Sequence, residues 1–217
     1  MPIITISRGS YNKGKAVAEK VAQKLGYECI SRDTILEASE EFNVPEIKLI
    51  RAIHDAPGIF DQLSYEKDKY IACVKALLLK HFRTDNIVYH GLAGHFFVKG
   101  ISHVLKVRIN AALEDRVRLE MEREGITRAE ALHLLNKDDE ERKKWSQSLY
   151  GTDIWNLNHY DLVIKIQKVS VDDAVDIICH TAELPEFQAT PESKRAMEDL
   201  FLAAELKATW IGWKHWI

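Results

Sequence analysis

Ile3-Ile4-Thr5-Ile6 is an unbroken run of mainly β-branched residues, and it is followed at once by a polar, glycine-bearing stretch from Ser7 to Gly14. A strand that alternates apolar and polar residues faces water on one side, whereas an unbroken apolar strand is buried on both, as in a parallel sheet. Val17, Ala18, Val21, Ala22 and Leu25 then recur at helical spacing, and Gly26 suits the helix stop. Tyr27 to Ile30 reads as a second short strand. A strand, a loop, a helix and a strand in that order predict a parallel sheet covered by helices.

The rest of the chain fits the same plan. Residues 33–54 read as two short helices broken before Pro45, and Ala56-Pro57-Gly58 as a turn. A long helix is expected over 62–82, with Tyr70, Val74, Leu77, Leu78 and Phe82 on one face. Buried strands are expected at Asn86 to Tyr89, Val104 to Ile109 and Asp161 to Ile166. Gly91-Leu92-Ala93-Gly94 is a loop or a tight helix start. Ala112 to Glu124 is helical and stops at Gly125. Thr127-Arg128-Ala129-Glu130 has the capping-box pattern for a helix running towards Tyr150, and Ser170-Val171-Asp172-Asp173 caps another. Thr190-Pro191-Glu192 starts a last helix, with Pro at its first position and Met197, Leu200, Phe201 and Ala204 as its apolar stripe.

Composition excludes several classes. With 46% hydrophobic and 29% charged residues, the 217-residue chain is globular rather than disordered. No apolar run reaches the roughly 20 residues of a membrane helix, and no secretory signal opens the chain, so the cytoplasm is the expected location. A net charge of −3 is no footprint for nucleic acid. Cys29, Cys73 and Cys179 are odd in number and widely spaced, which favours reduced thiols over disulfides or zinc. Three of the five tryptophans, Trp210, Trp213 and Trp216, crowd the last eight residues and need something to pack against.

Gly9-Ser10-Tyr11-Asn12-Lys13-Gly14-Lys15-Ala16 matches the pattern G-x-x-x-x-G-K-[ST] at every fixed position but the last. Backbone N–H groups in such a loop wrap a phosphate chain, the helix N-terminus adds partial positive charge, and the lysine neutralises the outer phosphates. Ala16 removes the hydroxyl that normally touches magnesium. The strand Asn86 to Tyr89 leads into His90-Gly91, without the carboxylate that often completes a magnesium site.

The chain resembles the cytidylate kinase-like family of P-loop nucleoside monophosphate kinase relatives. The resemblance rests on Ile4-Thr5-Ile6-Ser7-Arg8, Gly14, Gly26-Tyr27 leading into Ser31-Arg32-Asp33, Met121-Glu122-Arg123-Glu124-Gly125-Ile126, Asp139 with Arg142, Gly151-Thr152-Asp153, and Tyr160-Asp161-Leu162-Val163-Ile164. It covers roughly residues 3–182 and implies a three-layer α/β P-loop NTPase fold with a parallel sheet and a helical lid, here with a C-terminal helical extension. Residues 1–182 would form the kinase-like domain, and 183–217 a linker and a Trp-rich helix. The resemblance further implies ATP and Mg²⁺, with a nucleoside monophosphate or similar small phosphate as acceptor. Members often carry a G-R-x-A segment near Gly91, where this chain has Gly91-Leu92-Ala93-Gly94.

Lys15 would contact the β- and γ-phosphates, with Lys13 a weaker helper. Arg32, beside Asp33, is a candidate clamp for the acceptor phosphate or else a surface ion pair. Residues 106–144 hold ten Lys/Arg and ten Asp/Glu, so most arginines there suit a solvated, ion-paired face. Arg123 and Arg142 match family positions and are the candidates for the transferring phosphoryl group, with Asp139 orienting Arg142. His90 and His95 lack a third metal ligand; His90 could instead bond a nucleotide. Trp145, Tyr150 and Trp155 suit either base stacking or lid packing. The two functions weighed are phosphoryl transfer and a nucleotide-binding sensor that has lost efficient catalysis. The C-terminal helix is expected to dock on the domain or form a homodimer contact. Six acids against four bases over 183–217 argue against a membrane anchor.

Overall fold

The computed structural model describes residues 2–8, 11–31, 64–91 and 94–213. The helices expected over 33–54 and the turn at 56–58 lie outside the described residues. Five parallel strands form one sheet in the order β2-β3-β1-β4-β5: β1 Ile3–Arg8, β2 Glu28–Ser31, β3 Ile87–His90, β4 Val104–Ala111 and β5 Leu162–Ile166. The helices are α1 Tyr11–Leu25, α2 Ser64–Phe82, α3 Gly94–Phe97, α4 Leu113–Glu124, α5 Arg128–Tyr150, α6 Val171–Glu183 and α7 Pro191–Trp213.

Strands β1, β3 and β4 feed two cores because successive side chains point to opposite faces. Ile3, Ile87, Tyr89 and Val104 join α2 and α7 on one face, while Ile4, Ile6, Val88, Leu105 and Val107 join α1 and α6 on the other. The result is the expected three-layer α/β architecture. Asp85 and Asn86 bring the chain into β3 with φ of 56° and 54°.

Beyond the sheet, α4 and α5 pack together through Val117, Ala131 and Leu135. Both capping boxes form: Thr127 with Glu130 opens α5, and Ser170 with Asp173 opens α6. Gly125 and Gly151 close α4 and α5 at φ 66° each, where a Cβ would be strained. No described helix is long and apolar enough to cross a membrane. Cys73 and Cys179 are buried free thiols and Cys29 is half-buried.

The last helix starts where expected, at Pro191, with Thr190 and Ser193 exchanging bonds at its head. Met197, Phe201, Ala204 and Ala208 enter the core beside Leu77, Leu78 and Phe82 of α2. Trp210 does not join them. Trp210 is 67% exposed, the side chain of Trp213 lies outside the described residues, and so does Trp216. The physical reason is helical phase: Trp210 continues the line of exposed Leu202 and Leu206, away from the buried stripe.

Phe201 is buried beneath the Arg83 guanidinium, which lies 4.3 Å from the ring centroid. Phe201→Ala is expected to lower unfolding free energy by about 3 kcal/mol. Leu206→Ala, at a residue 71% exposed, should stay within about 0.5 kcal/mol. Urea unfolding of the two variants checks both.

Candidate functional site

In a parallel sheet the strands end at one edge, and ligands bind beyond those carboxyl ends where strand order reverses. Here that point is the end of β1, flanked by β3 and β4. Helix α1 starts there. The sequence suggested a loop up to Gly14, but helix begins at Tyr11, so Lys13 to Ala16 belong to its first two turns. One glycine at Gly14 does not stop a helix whose apolar face is anchored by Val17, Ala18 and Val21. The unpaired N–H groups of a helix are its first four, here those of Tyr11 to Gly14. They are arranged as a helix-terminus anion site. Lys15 stands half-exposed beside them, 3.6 Å from Glu19.

Gly9, Ser10, Arg32 and Asp33 lie outside the described residues, as do the side chains of Tyr11, Asn12 and Trp145. Strand β2 delivers the chain to Ser31 beside His90 at the same edge.

The candidate arginines separate. Arg123, at the end of α4, is exposed and paired with Glu120 at 2.5 Å and Glu124 at 2.8 Å. Arg142, on α5, is half-buried; burial lowers its pKa first, and Arg116 and Arg108 add to that against Asp138 and Asp139. Asp139, expected to orient Arg142, receives a two-pronged bond from Arg116, at 2.7 and 2.9 Å, and its charge also acts on Arg142. The pairing follows from packing. Arg116 lies on the face of α4 that meets α5, and the fork of a guanidinium matches both carboxylate oxygens.

Arg108 was not singled out in the sequence. It is 1% exposed on β4, beside Ser7 in register. Its Nε donates to Asn110 Oδ1 at 2.9 Å. Its Nη1 points to the Ile154 carbonyl at 3.3 Å, the Tyr160 hydroxyl at 3.2 Å and Ser7 Oγ at 3.5 Å. The Trp155 ring covers the guanidinium at 4.2 Å. The available signal was an arginine within the otherwise apolar Val107-Arg108-Ile109. The tally of charge over 106–144 hid it among solvated neighbours.

A sequence profile of the cytidylate kinase-like family matches residues 3–168. The chain belongs to that family. It is 28% identical over 190 residues to a cytidylate kinase of Pyrobaculum neutrophilum, covering 85% of this chain and 96% of the relative. A cytidylate kinase of Ignicoccus hospitalis is 25% identical over 180 residues, covering 82% and 97%. Among solved structures, an uncharacterized protein from Eubacterium ventriosum superposes with a TM-score of 0.64 at 22% identity, covering 84% of this chain and 98% of that one. Shikimate kinase from Bacteroides thetaiotaomicron gives 0.52 at 13%, covering 84% and 99%. The two structures speak to the fold alone.

For a member of the cytidylate kinase-like family, the magnesium ligands are sparse. Ala16 offers no oxygen, β3 ends in buried His90, and among the described residues no three His, Cys, Asp or Glu side chains could hold a metal ion. His95 belongs to an aromatic stack, 4.0 Å from the Phe96 ring centroid and 4.7 Å from that of Tyr160. Tyr150 stacks on Phe96 at 4.7 Å, so it packs rather than presenting itself to a base.

Burial holds the His95 pKa down to about 3 from 6.5, with His159, Arg108 and Lys106 acting in the same direction. The unfolded imidazole takes up a proton near pH 6.5 and the folded one does not until about pH 3, so this share of stability is lost as pH falls. Between about pH 7.5 and pH 5 the loss is on the order of 2 kcal/mol. His95→Phe is expected to remove that share of the pH dependence, measured as unfolding free energy at both pH values.

Proposed function

We propose that this chain transfers the terminal phosphoryl group of ATP to a nucleoside monophosphate, with cytidylate the first acceptor to test, or to a similar small phosphate. The observation that carries the reading is the start of α1 beyond β1, where four helix N–H groups and Lys15 meet. Membership of the cytidylate kinase-like family, and relatives named cytidylate kinase over most of the chain, support it.

In this reading, the N-terminal turn of α1 and Lys15 hold the donor phosphates, together with Gly9 and Ser10. Arg32 and Asp33, which come after β2, receive the acceptor. An acceptor phosphate oxygen attacks the γ-phosphorus, a new P–O bond forms, and the β–γ bridging bond breaks with its electron pair leaving on ADP. The attacking oxygen is already anionic, so no protein base is required. Arg142 and Arg123 are the lid arginines that would meet the transferring group. Arg123 would first have to leave Glu120 and Glu124. Magnesium normally reaches such sites largely on the nucleotide phosphates, and no step here is assigned to a protein ligand for it. The cytoplasm is the proposed location.

A nucleotide-binding sensor is the second reading, favoured by Ala16 and by the strand-end His90 in place of a carboxylate. A panel of nucleoside monophosphates with ATP and Mg²⁺, read by ADP release, separates the two. Turnover of one acceptor, lowered about 100-fold or more in kcat/KM by Lys15→Ala, is the expected result. ATP binding without turnover of any acceptor would establish the sensor, and no nucleotide binding by calorimetry would overturn both.

A further inference from the structure

Arg108 is a cation enclosed by neutral groups. Its hydrogen-bond partners are an amide oxygen, two hydroxyls and a carbonyl, and its cover is an indole ring. Among the described residues no carboxylate lies within ion-pair distance of it. The acids on the flanking segments are engaged elsewhere: Asp139 with Arg116, Asp153 with the Trp155 N–H and Lys143, Asp161 with the Lys106 N–H and ammonium. A buried guanidinium is strongly disfavoured without a counter-charge, and an uncharged side chain could span the same acceptors at lower cost. The bonds described use Nε and Nη1, which leaves Nη2 without an acceptor among the described residues.

Its location selects the ligand. Arg108 stands on β4, beside Ser7, two residues before the 9–16 stretch. Strands β2 and β3, with Arg32 just after β2, lie on the other side of β1. The open donor therefore lies beside the end of β1, the strand that leads into the 9–16 stretch.

We propose that Arg108 is a ligand-binding residue whose Nη2 takes an oxygen of the donor nucleotide's phosphate chain, supplying a charge that the sequence pattern of the 9–16 stretch does not include. The inference rests on the phosphate-donor reading of α1 above. Trp155, 36% exposed, is the cover that an arriving phosphate must displace.

Calorimetry with ATP, inorganic tripolyphosphate and cytidine monophosphate on the intact chain and on Arg108→Met, Arg108→Lys and Lys15→Ala tests it. Arg108→Met should weaken ATP and tripolyphosphate by roughly 10-fold to 100-fold, the worth of one charged hydrogen bond, and leave the monophosphate unchanged. Arg108→Lys should recover part of the loss. If Arg108→Met folds and binds tripolyphosphate like the parent, the proposal is wrong, while a Lys15→Ala defect would leave the donor reading standing. If the intact chain binds neither ATP nor tripolyphosphate, both fail. Should Arg108→Met not fold, tryptophan emission decides: tripolyphosphate must change the parent's emission, and the change must vanish in Trp155→Phe. An identical response in both proteins overturns the proposal.

Discussion

Strand β1 has no free edge. Its backbone is hydrogen-bonded to β3 on one side and to β4 on the other, both parallel, and its side chains are covered on both faces. Parallel neighbours can be connected only by crossovers, so helices must lie on both faces and every strand must finish at the same edge. That one requirement brings the start of α1, Ser31, His90 and Arg108 to one rim of the sheet, although they are separated by up to about a hundred residues of sequence. It also accounts for the reach of a short apolar run at the N-terminus. A central parallel strand is tolerable only if the rest of the chain supplies two more layers.

Much of this was legible because the signals were local. Thr127 with Glu130, Ser170 with Asp173, Gly125 after α4 and Pro191 at the head of α7 each satisfy a backbone need within a few residues, so they can be read in one dimension. The unbroken runs in β1 and β3 were legible for a related reason: burial on both faces removes the need for polar alternation. The start of α1 was not. The glycine-bearing pattern implied an open loop, yet helix extends back to Tyr11, and local sequence does not reveal how firmly the face below Gly14 is anchored. The partner of Asp139 was missed for the same kind of reason. A neighbour three residues away is visible in sequence, whereas Arg116 reaches it only because α4 folds onto α5.

The C-terminal helix shows composition and packing giving different emphases. The tryptophans are what the sequence advertises; among the described side chains of this helix, Met197, Phe201, Ala204 and Ala208 enter the core while Trp210 stays exposed. Without α7, the part of α2 that packs against it would meet water. Residues beyond the span matched by the family profile therefore contribute to the same apolar core as β1. Arg83 reinforces the junction twice, through its stack on Phe201 and its 2.6 Å contact with Glu198.

Charge in this protein is decided by burial rather than by number. The segment 106–144 is neutral on balance, and a count of its residues assigns no special role to any arginine. Folding sorts them. Arg118 and Arg123 remain in water beside acids, where screening leaves each pair contributing about 0–1 kcal/mol. Arg116 is buried but answered by both oxygens of Asp139. Arg108 is buried and, among the described residues, answered only by dipoles, so none of their carboxylates cancels its field. Neutral His95 beside it cannot take up the role of a second cation, because protonating it there would add like charge to an already positive, desolvated locus. Among the described residues, a balanced sequence thus yields a buried, uncompensated cation near the end of the strands.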